Sequence, residues 1–520
     1  MYFGGKGKNN SKYAQQKKRK GGTNNKPIDV SKDLTMEDVI KYKFTIDDVV
    51  EHRSAFWINT VNADIGKILE FEYQVDPSKI SIITKQIMEF THHTLRERYN
   101  FLTMEFPGFR RSIVDTQRTG IDYTKHADFW VFWYMSTNIL MYQSLGDTLG
   151  YYNGKWEFND GNSQATAEYA NDMIYEYFEM GGINDMSIVN WRASDDTLMY
   201  LETYKILIRN DKNINIYGEK LRQAYIDLLP MMANRHMGNT TGRSLEIQKH
   251  IEWNKLQYNK DDKGSGTSMR TGCIGIVYPG EHNREKLIAF AVETSRITHN
   301  SAIAILGGIT AALFTAYAIE KVPIAHWPHE LLKLCKSDEI DFYMEKSRPD
   351  EFKFYSRDKD LFIDKWEQYI KMRFSGTTPR LDIRHLKNPV LRYQYFASNY
   401  SKGHENFAGG DADDSVIMAY DALLESGSSI EKLILYSVLH PGDSDTVGSI
   451  AFSWFGAYYQ TARINSLVQD KFMNLEFKDD IYKYSDESEN ILLKTYYYDI
   501  YLNVAINHLK QLDLEKFRKD

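Results

Sequence analysis

Three oxygen-bearing side chains, Asp443, Asp445 and Thr446, crowd into the stretch His440-Pro441-Gly442-Asp443-Ser444-Asp445-Thr446-Val447-Gly448. A helix-like run follows at once, from Gly448 to Tyr459. Carboxylates two residues apart cannot share a helix face, but a tight turn at a helix start can aim both at one point. The positive end of the helix dipole tolerates anions there. Such a group repels itself unless a cation sits inside it, so the stretch reads as half of a metal site. A second half is offered by Ala193-Ser194-Asp195-Asp196-Thr197, which opens the amphipathic run LMYLETYKILI. One such residue would suffice as an N-cap; four stand in a row. Ser194, Asp195, Asp196, Asp443, Asp445 and Thr446 together form an oxygen-only set with four carboxylates. That set suits Mg²⁺ or Mn²⁺ rather than zinc, and its four charges match two divalent ions.

Other candidates surround these halves. Glu157 stands between Trp156 and Phe158, where a carboxyl with a raised pKa could do acid–base work; the plainer alternative is an outward Glu on a surface strand. The run Lys263-Gly264-Ser265-Gly266-Thr267-Ser268 leads into a helix-like segment. Backbone N–H groups at such a start can hold a phosphate or diphosphate, although a flexible loop reads equally well. His299 precedes an uncharged helix and either faces a ligand or caps that helix. Phe407, beside Gly409 and Gly410, either stacks on a base or plugs the core.

Helical periodicity dominates the elements that must position these residues, and strand-like alternation is scarce. An aromatic helix in the stretch 126–158 is expected to break at Gly146-Asp147 and again at Asn153-Gly154. Residues 31–125 read as a helical extension, with a helix entry at Asp76-Pro77-Ser78-Lys79; His92-His93 there point apart and chelate poorly. Residues 1–30 carry almost nothing apolar and read as a disordered tail. The first 28 residues hold eight basic side chains and no acidic one, leaving 56 of the 64 basic residues against all 71 acidic ones. The body is therefore acidic and no general nucleic-acid binder; any polyanion affinity lies in the tail. Lys17-Lys18-Arg19-Lys20 reads as a nuclear-import signal or polyanion anchor, or more plainly as a solvated tail. Two cysteines, Cys273 and Cys335, exclude a disulfide framework and suit the cytoplasm. The one near-span apolar run, Ser301 to Ile319, is rich in Ala, Gly and Thr and reads as a buried core helix, with no membrane partner expected.

The stretches GDTLGYYNGKWEF, SDDT, GSGTSMRTGCIGI, SRITHN, VIMAYDALL and HPGDSDTVGSIA, in this order over residues 126–470, resemble the ADP-ribosylglycohydrolase family. They are most similar to its arginine-specific branch. The resemblance implies an all-α fold with a central dinuclear Mg²⁺ cleft spanning residues 126–520. It implies metal binding by Ser194, Asp195, Asp196, Asp443, Asp445 and Thr446, with Glu157 near the scissile bond. It places Gly264, Ser265, Gly266, Thr267 and Ser268 at the diphosphate, His299 at ADP-ribose and Phe407 in the adenosine-side loop. The implied reaction is hydrolysis of the bond between ADP-ribose and arginine in modified proteins, with proton transfer by Glu157, Asp195 or Asp196. The alternatives are a serine, poly(ADP-ribose) or O-acetyl-ADP-ribose conjugate, or a protein that only binds ADP-ribose. Ser265, Asp411 and Asp413 depart from the family pattern. A monomer is expected.

Overall fold

The computed structural model describes residues 65–87, 127–158, 167–210, 213–401, 408–459 and 462–488, with a few positions between 505 and 517. Among them the only strands are a two-residue pair, Phe374–Ser375 with Thr378–Pro379; the rest is helix and connection. The all-α expectation holds. Phe407, His92 and His93 lie outside the described residues, as do the basic tail and most of the extension.

Helix α1 (Ala127–Tyr151) does not stop at Gly146-Asp147 as expected; it runs more than one turn further. The reason is tertiary. A Cβ on Gly146 would sit 2.4 Å from the Gly448 carbonyl oxygen, and one on Gly150 would sit 2.3 Å from that of Ser444. The glycines are thus spaced to let another helix touch the backbone, and packing overrides their low intrinsic helix propensity. The second break does occur: Asn153 and Gly154 adopt φ of +57° and +85°.

Helices α2 (Asp195–Asn210), α3 (Asn239–Gln248), α4 (Ser268–Val277), α5 (Ala302–Ile319), α6 (Ala412–Ser426) and α7 (Ser444–Tyr458) build the rest of the frame. The α1–α7 pairing is the most extensive of the described elements. Helix α5 is the uncharged run, and 94 % of it is buried. Its small residues let neighbours in: a Cβ on Gly307 would lie 2.4 Å from the Ala412 carbonyl, and one on Gly275 of α4 2.1 Å from that of Ala312. Ser301 caps α5 by accepting from Ala304 N at 3.2 Å, so the cap is not His299.

In the extension, residues 65–71 and 77–87 are helical. The entry at Asp76 is present, with Ser78 N donating to its carboxylate at 2.9 Å. Ile65, Leu69, Val75, Ile83 and Ile87 bury themselves with Ala505, Leu509 and Leu514 in a small core separate from the main one.

Candidate metal and ADP-ribose site

Both acidic stretches open helices, α2 and α7. Helix α2 is capped from outside itself. Asp147 of α1, fully buried, accepts from Ser194 N at 3.1 Å, from Thr197 N at 3.1 Å and from the Thr197 hydroxyl. Asp195 and Asp196 are thereby released from capping duty. Ser194 Oγ accepts from Asp196 N at 3.1 Å. The two halves then meet directly, for Asp196 accepts from Ser449 Oγ at 3.0 Å and from Thr446 Oγ1 at 3.4 Å, both on α7.

The third component arrives through the turn after α1. Phe158 N donates to the Gly442 carbonyl at 3.0 Å. This brings Glu157, 3 % exposed, against the second half. Glu157, Asp443 and Asp445 each present an oxygen within 4.8 Å of the others. Glu157 is no outward residue of a surface strand.

Burial and mutual repulsion dominate the electrostatics. Glu157 is held well above the usual carboxyl range by burial first, then by the charges of Asp443, Asp195 and Asp196. Burial, Asp147 and Asp443 push Asp195 up to about 8. Asp445 is raised well above its ordinary value by burial, then Glu157, Asp196 and Asp443. Among the described residues no lysine or arginine pairs with Asp195, Asp196, Asp443 or Asp445, and Glu157 meets the imidazole of His236. A buried all-oxygen anionic set without a protein cation is the environment a hard divalent ion satisfies. The residues present fit such an ion.

These groups form one wall of a cavity of about 340 Å³. The glycine loop forms another, and Gly264, Ser265 and Gly266 face the space. Ser265 Oγ donates to Asp443 at 2.8 Å, which ties the loop to the acidic turn. Thr267 and Ser268 also sit at the start of α4, but their hydroxyls turn inward. Thr267 donates to the Ala304 carbonyl at 2.7 Å, and Ser268 to that of Ser265 at 2.9 Å. The second glycine loop is strapped to the first: Ser265 N donates to the Gly410 carbonyl and Ala412 N to that of Lys263. The departures at Asp411 and Asp413 are answered by lysines, Lys263 at 2.9 Å and Lys365 at 2.5 Å.

His299 lines the cavity while 2 % exposed. Arg270 donates to Thr298 Oγ1 at 2.7 Å, and that hydroxyl lies 2.8 Å from His299 Nδ1. The hydroxyl thus ties the imidazole to Arg270, and Nε2 is left on the side of the glycine loop. Burial and the charges of Arg270 and Arg243 hold its pKa well below the ordinary value. Its ring also explains the loop's composition, since a Cβ on Gly266 would lie 2.7 Å from His299 Cε1.

Sequence reasoning missed three participants. Asp147 was read as part of a turn. His236, which meets Glu157 at 2.6 Å, and the opening of α3 at Asn239, Thr240 and Thr241 carried no local signal. Each contributes through partners tens of residues away.

The ADP-ribosylglycohydrolase family model matches residues 139–497. A protein of Acanthamoeba polyphaga mimivirus named as an ADP-ribosyl glycohydrolase is 50 % identical over 392 residues, 74 % of this chain and 76 % of its own length. The ADP-ribosylhydrolase ARH1 of Dictyostelium discoideum is 33 % identical over 379 residues, 68 % of this chain and 92 % of its own. A solved structure described as an ADP-ribosylglycohydrolase-related protein complex is 17 % identical, with a TM-score of 0.40 over 69 % of this chain and 98 % of that one. With the family model covering more than half of its length, the chain belongs to the ADP-ribosylglycohydrolase family.

Proposed function

We propose that the protein hydrolyses the N-glycosidic bond between ADP-ribose and arginine in modified proteins, with two Mg²⁺ (Mn²⁺ as the alternative) held by Ser194, Asp195, Asp196, Asp443, Asp445 and Thr446. The observation that carries the reading is the uncompensated acidic set beside a glycine-walled cavity. The resemblance of the YYNGKWE stretch to the arginine-specific branch favours arginine as the leaving group, and the likeness to the Dictyostelium ADP-ribosylhydrolase favours hydrolysis of an ADP-ribose bond. In the reaction the bond from the ribose anomeric carbon to the guanidine nitrogen breaks through an oxocarbenium-like state. Water gives its hydroxyl to that carbon and a proton to the departing nitrogen. Divalent ions at this position would polarise the water and hold the ribose diol. Glu157, Asp195 and Asp196 line the cavity and would carry the proton, and Gly264, Gly266 and His299 line the space where the remainder of ADP-ribose would lie.

The test is release of ADP-ribose from arginine-modified protein, with Mg²⁺ and with chelator, beside serine-linked, poly(ADP-ribose) and O-acetyl conjugates. Release from the arginine conjugate only with metal is the expected result. Release from another conjugate alone moves the substrate, and binding without any release makes the protein a reader of ADP-ribose.

Metal binding should also be visible in stability. Asp195 moves from an ordinary 3.8 to about 8, so the fold holds a proton that the unfolded chain has lost across that window. Metal-free stability should therefore be greatest below about pH 4 for this group and decline as pH rises towards 8. A divalent ion at a hundred times its Kd adds about 2.7 kcal/mol. Thermal melts should show a larger Mg²⁺-induced rise at pH 8 than at pH 5.5; equal rises would refute the site.

A further inference from the structure

We infer that His236 is a positioning residue that fixes the Glu157 carboxylate, an inference that rests on the catalytic reading of that glutamate. His236 Nδ1 lies 2.6 Å from Glu157 Oε2. The two atoms share one proton, so the contact is a hydrogen bond whichever of them carries it. One oxygen of Glu157 is thereby held and the other is left for the cavity.

The ring is itself positioned from three sides. Tyr151 meets it edge-on at 5.3 Å with an interplanar angle of 90°. Gly154 gives way to it, because a Cβ there would lie 3.0 Å from His236 Nε2. Glu157 forms the third side. Two residues of the YNGKWE turn, Gly154 and Glu157, thus serve one imidazole.

The backbone at His236 is also held in an unfavourable state, with φ of +58°. Such a conformation in a non-glycine residue persists only where the surroundings impose it. Here they do. Arg235 is clamped by Glu476 at 2.7 and 2.8 Å and donates to the Ala193 carbonyl at 2.5 Å. The Arg235 carbonyl accepts from Asp195 N at 3.3 Å. The segment that carries His236 is therefore bolted to the first residue of α2, and the histidine and the acidic set share one frame. A side chain that is 41 % exposed contributes little to the core, so packing does not explain the strain.

The variants follow from the backbone. Glycine and asparagine both tolerate positive φ, and asparagine offers an amide donor near the place of Nδ1. H236G should lower kcat for ADP-ribose release by about tenfold or more while KM stays within roughly threefold. Its melting temperature should not fall, and H236N should recover most of the rate. Wild-type kcat in H236G, or equal losses in H236G and H236N, would overturn the proposal. Should the wild-type chain release ADP-ribose from no conjugate, the functional reading fails, and a crystal structure of H236G still decides the positioning role. Glu157 displaced from the cavity wall supports it; Glu157 unmoved overturns it.

Discussion

Replacing Asp445 with asparagine should stop ADP-ribose release and, in the metal-free protein at pH 8, stabilise the fold. The two effects have one cause. Asp445 is 2 % exposed and faces Glu157, Asp196 and Asp443, all buried carboxyls. An amide removes one negative charge from this group. It keeps an Oδ1 that can accept from Thr446 N, as Asp445 does at 2.8 Å. Like charges about 4–5 Å apart cost roughly 3–4 kcal/mol at an effective dielectric of about 20, partly offset because raised pKa values already neutralise some of the set. A net gain of about 1 kcal/mol, roughly 1 °C for a domain of this size, is expected. The activity loss should be on the order of 10³-fold, the several kcal/mol a bound divalent ion contributes to such a transition state. The Mg²⁺-induced rise in melting temperature should shrink in the same variant. A substitution that merely damaged the fold would lower activity and stability together. A lower metal-free melting temperature at pH 8 would therefore show that the acidic set is not in electrostatic conflict, and the argument for a cation would lose its basis.

The two acidic halves were legible in the chain because their signal is local. Asp195 and Asp196, like Asp443, Asp445 and Thr446, sit within a few residues at the first turn of a helix, and side-chain type and spacing alone say what they could hold. The helical fold was legible for the same reason, since 3.6-residue periodicity is written residue by residue. What failed was information that lives between elements. Gly146 carries the local signature of a helix end, yet a carbonyl of another helix lies where its side chain would be, and the helix continues. Asp147 looked like part of the same turn, while its partners Ser194 and Thr197 are 47 and 50 residues away. His236 is 79 residues from Glu157, and nothing in Asn234-Arg235-His236-Met237 announces a carboxylate across the cavity. Thr267 and Ser268 show the converse. Their place in the glycine loop suggested ligand contact, but the start of α4 turns both hydroxyls towards the core. The loop's chemistry is left to its backbone and to Ser265.

Gly150→Ala should be among the most damaging single-methyl changes in the chain, although Gly150 bears no side chain to act with. The added carbon would lie 2.3 Å from the Ser444 carbonyl oxygen and 2.5 Å from Asp445 N. Both are backbone atoms, so no rotamer change relieves the contact. Ser444 Oγ also donates to the Gly150 carbonyl at 2.8 Å, which pins the acidic turn to α1 at that point. The helices must separate or the turn must shift, and overpacking of this kind costs about 1–3 kcal/mol. The larger consequence is for the site. Asp443, Asp445 and Thr446 hang from the displaced turn, whereas Asp195 and Asp196 are fixed by Asp147 and Arg235 on the opposite side. A shift between the halves of about 1 Å is enough to lower turnover by roughly 10²-fold. Gly66→Ala supplies the control. Its new carbon would make an ordinary 3.6 Å contact with Ile80 Cγ2, in a helix that does not line the cavity. That substitution should stabilise by about 0.4–1 kcal/mol and leave release unchanged. Divalent-ion affinity separates the two parts of the argument: Gly150→Ala should weaken it even at temperatures where the variant is fully folded. A variant that folds less stably yet binds metal and turns over normally would show that the α1–α7 contact serves stability alone.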